Sequence, residues 1–330
     1  MANITQYKPS ERMNKFRVYY NQVIFPALME LEKERKRLVW LMAGSLFFLI
    51  ILGYMVFLAH IPALTLFLGI PLTIYTSYLG VQVQKFRSAF KPRIVNLILD
   101  FIDIGKESEK PNEIYAYMEA ARRGLRYDYE RCIPIETFQR SGIFAEPASY
   151  YKGEDYIEGS VGSAKFEMCE LDVKKMSYVR PGYDTIFRGI FFYSNFYKIT
   201  EGTVVIIPKE RRQFLMSTIK GITKIGGEQV FFDHPEGFMD KFLVYANCDI
   251  EPEKLLSQSI LESILEYQSL TQKDIYVSIV GSEIYIAVSE PKDILEPNLL
   301  SSNANFELVK DFFEDLMLII SIIEDFDLHH

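Results

Sequence analysis

Four carboxylates in one short stretch, Asp155, Glu158, Glu167 and Glu170, are the residues of this chain best placed to do chemistry. They flank Gly162-Ser163, which sits where a two-residue hairpin turn would, so the runs on either side are expected to pair antiparallel. With Val161 facing Ala164, counting outward sets Glu158 opposite Glu167 and Asp155 opposite Glu170. Like charges directly opposed destabilise a hairpin by roughly 0.2–1 kcal/mol, so something should offset them. Arg188 on the following strand, Lys165, or a bound divalent cation would do so. Paired carboxylates also suit general acid–base work, but without a neighbouring His the case for hydrolysis is thin. The plain alternative is four solvated carboxylates on an exposed face, or a shifted register.

No other motif carries a reaction. Cys132, Cys169 and Cys248 are unevenly spaced and form no CxxC pair, so they suggest neither a disulfide framework nor a zinc site and read as reduced core thiols. His60, His234, His329 and His330 offer no inner pair at metal-ligand spacing. Gly221 to Gly227 lacks the Walker lysine and hydroxyl, Lys220 to Lys224 reads as a loop, and Ser141-Gly142 is no nucleophile elbow. The aromatic run Phe187 to Tyr193, with Phe196 and Tyr197, is a strand whose rings alternate between faces, one face core and the other either covered by helices or the floor of a ligand groove. The sequence therefore assigns no catalytic residue, no metal ligand set and no cofactor.

The elements that would position the carboxylates begin with a long apolar segment. Residues 38–84 contain no Lys, Arg, Asp or Glu, enough for two crossings of a bilayer core about 30 Å thick at about 20 residues each. The expected spans are residues 39–59 and 63–83, with His60 and Pro62 in the turn between them. Lys33, Arg35, Lys36 and Arg37 precede the first span, and Lys85, Arg87, Lys91 and Arg93 follow the second, which places both chain ends in the cytoplasm. Pro71 should kink the second helix. An amphipathic helix from Ser10 to Arg37, bent at Pro26, should lead in, and another should start near Pro92.

The charge is split along the chain. Residues 1–99 carry 12 Lys and Arg against 4 Asp and Glu, a net +8, which leaves 24 against 40, or −16, for residues 100–330. The basic part suits an anionic membrane face and the acidic part repels nucleic acid, so no DNA or RNA partner is expected. From Tyr151 onward the period changes from helical to alternating. Runs near 156–161, 165–174, 186–199, 203–207, 229–232 and 242–247 read as strands. A further hairpin turns at Gly281-Ser282, and helices are expected over 112–125, 136–140, 253–267 and 306–326. The fold class is α+β: a two-helix transmembrane hairpin, then a cytoplasmic mixed domain with antiparallel sheet. The segments are 1–37 (N-terminal amphipathic helix), 38–84 (hairpin), 85–125 (juxtamembrane stalk) and 126–330 (cytoplasmic domain).

Ser141-Gly142-Ile143-Phe144, Tyr151-Lys152-Gly153-Glu154-Asp155 with Gly159, Glu170-Leu171, Phe187-Arg188-Gly189-Ile190-Phe191 and Thr203-Val204-Val205 follow the apolar hairpin in that order. This ordered series resembles the bacterial family called domain of unknown function 3137. The resemblance implies a protein of the bacterial inner membrane and genomic company with LemA-like membrane proteins, and it assigns no activity. The expected partners are thus the lipid bilayer and a protein or second copy of the chain, and the expected role is an interaction or regulatory module. A membrane-bound metal-dependent enzyme using the carboxylates is the alternative.

Overall fold

The computed structural model describes residues 9–59, 63, 65–104, 124–161, 164–195, 202–248, 255–293 and 295–329. They fall into two units, one of residues 9–104 with 295–310, the other of residues 124–293 with 311–329.

The first unit is helical. Helix α1 (Pro9–Tyr19), a π turn (Tyr20–Ile24) and α2 (Phe25–Ala59) run on without a break, and a second π turn (Thr65–Gly69) opens α3 (Ile70–Ile104). Each π turn lies just ahead of a proline, Pro26 or Pro71. Proline has no amide hydrogen and its ring crowds the carbonyl four residues back, so a widened turn before it lets the helix continue. The helix start expected near Pro92 is corrected by the structure: Pro92 lies inside α3, and its carbonyl accepts a hydrogen bond from Asn96 Nδ2 at 2.7 Å. An interior proline costs about 3 kcal/mol, which the burial of Phe90, Ile94, Val95 and Ile98 around it offsets.

The helices of this unit pack antiparallel. Arg93 on α3 pairs with Glu30 on α2, and the Phe101 ring lies 5.2 Å from Phe16 and 5.0 Å from Tyr19. The apolar face of α1 is covered within the unit, because Phe306 also reaches Tyr20 at 5.0 Å and Phe16 at 6.2 Å. Counted through its π turn, Arg12–Leu58 is one helix of 47 residues, long and apolar enough to cross a membrane. Only 6% of its most apolar stretch is buried. The turn expected at His60 to Pro62 lies outside the described residues, as does nearly all of the helix expected over 112–125.

The second unit is built on one nine-stranded sheet with helices on its faces. In chain order it comprises β1 (Arg126–Asp128), α4 (Ile135–Arg140), β2 (Tyr150–Val161), β3 (Ala164–Met176), β4 (Tyr183–Asn195), β5 (Gly202–Pro208) and α5 (Met216–Lys224). There follow β6 (Glu228–Val230), α6 (Phe238–Lys241), β7 (Phe242–Cys248), α7 (Gln258–Thr271), β8 (Ile275–Val280), β9 (Glu283–Ser289) and α8 (Phe306–His329), which belongs here from Asp311 onward. The strand order is β1-β2-β3-β4-β9-β8-β5-β7-β6, and every pairing is antiparallel. The unit is therefore α+β.

Alternation decides what each face buries. Cys169, Leu171, Phe191, Tyr276, Tyr285 and Ala287 point to one core, shared with Phe138 and Phe144 and with Ile219 and Ile222 of α5. That helix corrects the loop expected at Lys220 to Lys224, whose glycines and threonines concealed its buried Thr218, Ile219 and Ile222. Ile275, Val277, Ile279, Ile284, Ile286 and Val288 are buried on the opposite face. The β8–β9 hairpin turns where expected, with Gly281 in the left-handed region (φ 59°). Ser257 caps α7 by accepting the Ile260 N–H at 3.2 Å. The apolar α8 is a core helix, and its buried carboxylate Asp315 is met by Lys273 Nζ at 2.8 and 2.9 Å and by the Tyr267 hydroxyl. Glu290 completes that network 3.0 Å from Lys273.

The helical unit has its own buried charges. Arg35 donates to both Glu32 oxygens at 2.8 and 2.6 Å and to the Leu299 carbonyl, while the Asn303 N–H donates to Glu32 at 3.4 Å. Lys91, 1% exposed, pairs with Glu296 at 3.4 Å. The Arg35 hydrogen bonds hold the Glu32 carboxyl below its usual range, against the opposing push of burial. A depressed carboxylate contributes stability above its unfolded value and loses it as pH falls through the folded value. The Glu32 contribution is thus complete above about pH 4.5 and is lost on further acidification. Glu32→Ala, which strands Arg35, should destabilise the chain by about 3–5 kcal/mol in chemical unfolding followed by circular dichroism. Glu32→Gln should flatten the acid limb of stability against pH.

Candidate functional site

The β2–β3 hairpin pairs Val161 with Ala164 and Glu158 with Glu167, the register counted from the sequence. Farther out it departs. A bulge between Glu154 and Ile157 shifts the ladder, so that Glu170 faces Glu154 and not Asp155. A bulge puts two residues opposite one, and Asp155 is held there with φ 59°, a conformation uncommon outside glycine.

The carboxylates consequently divide between two places. Side chains alternate with a period of two, so Glu167 and Glu170, three residues apart, lie on opposite faces of β3. Glu158 meets Arg131 at 3.0 Å, Arg126 at 3.7 Å and the Tyr156 hydroxyl at 3.3 Å. Arg131 also stacks over the Tyr156 ring at 3.9 Å. With Glu167, Lys165, Tyr193 and Asn195, Glu158 lines an open cleft of about 450 Å³. Glu158 is thus ion-paired near the sheet edge, and Arg131 and Arg126 beside it offset the opposed Glu158 and Glu167.

On the other face Asp155 and Glu170 do come together, joined by Glu154, whose role sequence reasoning missed. One carboxylate oxygen from each of the three lies within 4.8 Å of the others. Asp155 and Glu170 are buried, at 8% and 6% exposure. Tyr127 on β1 donates its hydroxyl to Asp155 Oδ1, and burial, with Asp155 beside it, pushes the phenol well up, so it stays a donor. Lys152 reaches Glu154 at 3.2 Å, and Lys174 reaches Asp172 at 2.6 Å. Arg188 stands opposite Asp172 in the β3–β4 ladder and is hydrogen-bonded to Asp293. Burial works against its charge, and Asp293, with Asp172 and Glu170 behind it, more than offsets that. Glu154, Glu170, Asp172, Arg188 and Asp293 line a small cleft of about 50 Å³. Arg188 therefore lies in the same cleft as Glu154 and Glu170, and its direct partner is Asp293, 105 residues away.

Chemically this is a set of hard oxygen donors with partial charge compensation. Oxygen atoms at such spacing suit a divalent cation of the Mg²⁺ or Ca²⁺ type. The thiols offer nothing more reactive. Burial raises the pKa of both Cys132 and Cys169, and Cys169 Sγ accepts the Ile133 N–H at 3.2 Å.

Two glycines of the motif pieces serve packing. A Cβ on Gly189 (φ 144°) would lie 2.1 Å from the Val288 carbonyl oxygen and 2.5 Å from the Glu290 nitrogen. One on Gly153 would meet Cys132 Cβ at 2.4 Å.

Residues 185–328 match the family model described as "Protein of unknown function (DUF3137)". The chain resembles that family. The match opens in β4, so it takes in Arg188, Gly189, Lys273 and Asp315 but none of Glu154, Asp155 or Glu170. No curated protein matches the chain. Among solved structures, that of the mycobacterial trehalose monomycolate transport factor A, TtfA, is similar over 62% of this chain and 92% of its own, at 8% identity and a TM-score of 0.24. A likeness that low supports no statement about fold or transport here.

Gly189→Ala combines a backbone clash with an unfavourable φ and should cost more than about 3 kcal/mol in thermal unfolding. Gly221→Ala, in α5 with nothing within 4 Å of the added carbon, should gain about 0.5–1 kcal/mol.

Proposed function

We propose that the chain is a protein of the bacterial inner membrane, held by a two-span hairpin with both chain ends cytoplasmic, whose acidic α+β part acts as a protein-interaction or regulatory module. One observation carries the membrane half. Trp40, Phe47, Phe48, Ile50, Tyr54 and Phe57 on the first long helix, and Phe67, Ile74 and Tyr78 on the return, are each between 56% and 79% exposed. A surface that apolar, on antiparallel helices without a charge between residues 38 and 84, needs a hydrocarbon solvent. The cations on both flanks give the orientation.

The interaction half rests on the net −16 of residues 100–330 and on the lack of a reactive motif there. A LemA-like membrane protein or a second copy is the first partner to test. An alkaline carbonate wash should leave the full chain in the membrane, and a reporter at its tail should register as cytoplasmic. Release of the chain, or a periplasmic signal, would overturn the anchor. Cross-linking before solubilisation should then recover a defined partner or dimer, and repeated recovery of the lone chain would remove the module.

The convergence of Glu154, Asp155 and Glu170 favours a second reading, a divalent-cation site. Titration calorimetry of the detergent-solubilised full chain with Mg²⁺, Ca²⁺ and Mn²⁺ should then show binding that Glu170→Gln weakens at least tenfold, the effect of losing about 1.4 kcal/mol of ligation. A flat trace for all three ions disposes of it.

A further inference from the structure

The basic residues around the base of the helical pair are of two kinds. Arg35, Lys91 and Arg93 each have a carboxylate partner, in Glu32, Glu296 and Glu30. Lys36 lies 3.7 Å from Glu32. Lys33, Arg37, Lys85 and Arg87 are exposed and form no ion pair with any described residue. Between Lys33 and Arg37, and between Lys85 and Arg93, the only acidic residue is Glu34.

The antiparallel packing sets these four at nearly one height. The contact of Glu30 with Arg93 fixes the offset of α2 against α3, which brings Arg37 level with residue 86, between Lys85 and Arg87. Lys33 stands about one turn, or about 6 Å, farther from the apolar segment. One turn the other way, Trp40 is 78% exposed. Tryptophan at that position relative to an apolar span is a marker of the membrane interface. The unpaired cations thus gather where phosphate groups of the adjoining leaflet would lie, while the paired ones are tied up by the protein.

We infer that Lys33, Arg37, Lys85 and Arg87 form a collar that binds the headgroups of anionic phospholipids, with Trp40 packed beside the acyl boundary. The inference rests on the membrane reading above and adds to it a preferred lipid. A basic residue at an anionic leaflet is worth about a fivefold change in affinity, so four act together to enrich such lipids around the hairpin.

Trp40 is the only tryptophan in the chain, which makes it a site-specific reporter. The full-length protein is reconstituted in neutral bilayers containing a fixed fraction of brominated lipid, either phosphatidylglycerol or phosphatidylcholine, and Trp40 quenching is compared. Brominated phosphatidylglycerol should be preferred by about fivefold or more. Joint replacement Lys33→Gln, Arg37→Gln, Lys85→Gln and Arg87→Gln should bring the preference close to one, with quenching by brominated phosphatidylcholine intact as proof of insertion. Arg93→Gln, a paired site, should leave the preference unchanged. Equal quenching by the two lipids in the native protein overturns the collar but not the anchor, whereas no quenching by either overturns both. If inorganic phosphate removes the preference and chloride at equal ionic strength does not, the collar takes a free anion and the lipid assignment fails.

Discussion

A charge taken out of water must bring its counter-charge with it, and that constraint organises both units of this protein. The penalty for an ion left alone is several kcal/mol, more than most single contacts can repay. In the helical unit Glu32 is buried against Arg35, and Lys91, 1% exposed, pairs with Glu296. In the sheet unit Asp315, on the most apolar helix outside the long pair, is met by Lys273, Tyr267 and, through Lys273, Glu290. These networks hold in register segments that are distant in sequence. Hydrophobic burial drives the packing, and the ion pairs select which packing is tolerated.

The same constraint explains why the carboxylates of the hairpin do not form one site. Alternation forces Glu167 and Glu170 to opposite faces, so each must find compensation in its own surroundings. Glu158 finds it in two arginines near the sheet edge. The Glu170 side is more crowded, with Glu154, Asp155, Asp172 and Asp293 against Lys152, Lys174 and Arg188. The bulge at Asp155 adds to that crowding, because a regular ladder would have set Asp155 opposite Glu170 and left Glu154 on the other face.

Much of the scaffold was legible in the sequence. Residues 38–84 announce themselves by lacking charge, Gly281-Ser282 by turn chemistry, and Val161 facing Ala164 by the alternation that runs out from them. What escaped is of three kinds. The bulge between Glu154 and Ile157 comes from a positive φ at an aspartate, a conformation that residue type alone does not predict. Helix α5 escaped because glycine and threonine weaken local propensity, while burial of Ile219 and Ile222 stabilises it from outside. The continuation of α3 through Pro92 has the same origin, local disfavour overruled by packing. The Arg188–Asp293 pair joins residues 105 positions apart and had no local signal at all.

The extent of the family match separates scaffold from site. Residues 185–328 contain Gly189, where β4 must approach β9 closely enough that no Cβ fits, and the network of Lys273, Glu290 and Asp315. They exclude the apolar helices and the carboxylates of β2 and β3. The match thus falls on the second part of the sheet and on the ion pair packed against it. It leaves the Glu154–Asp155–Glu170 cluster and the basic collar to be judged on their own electrostatics, where the deciding quantity is the charge that the protein itself leaves unbalanced.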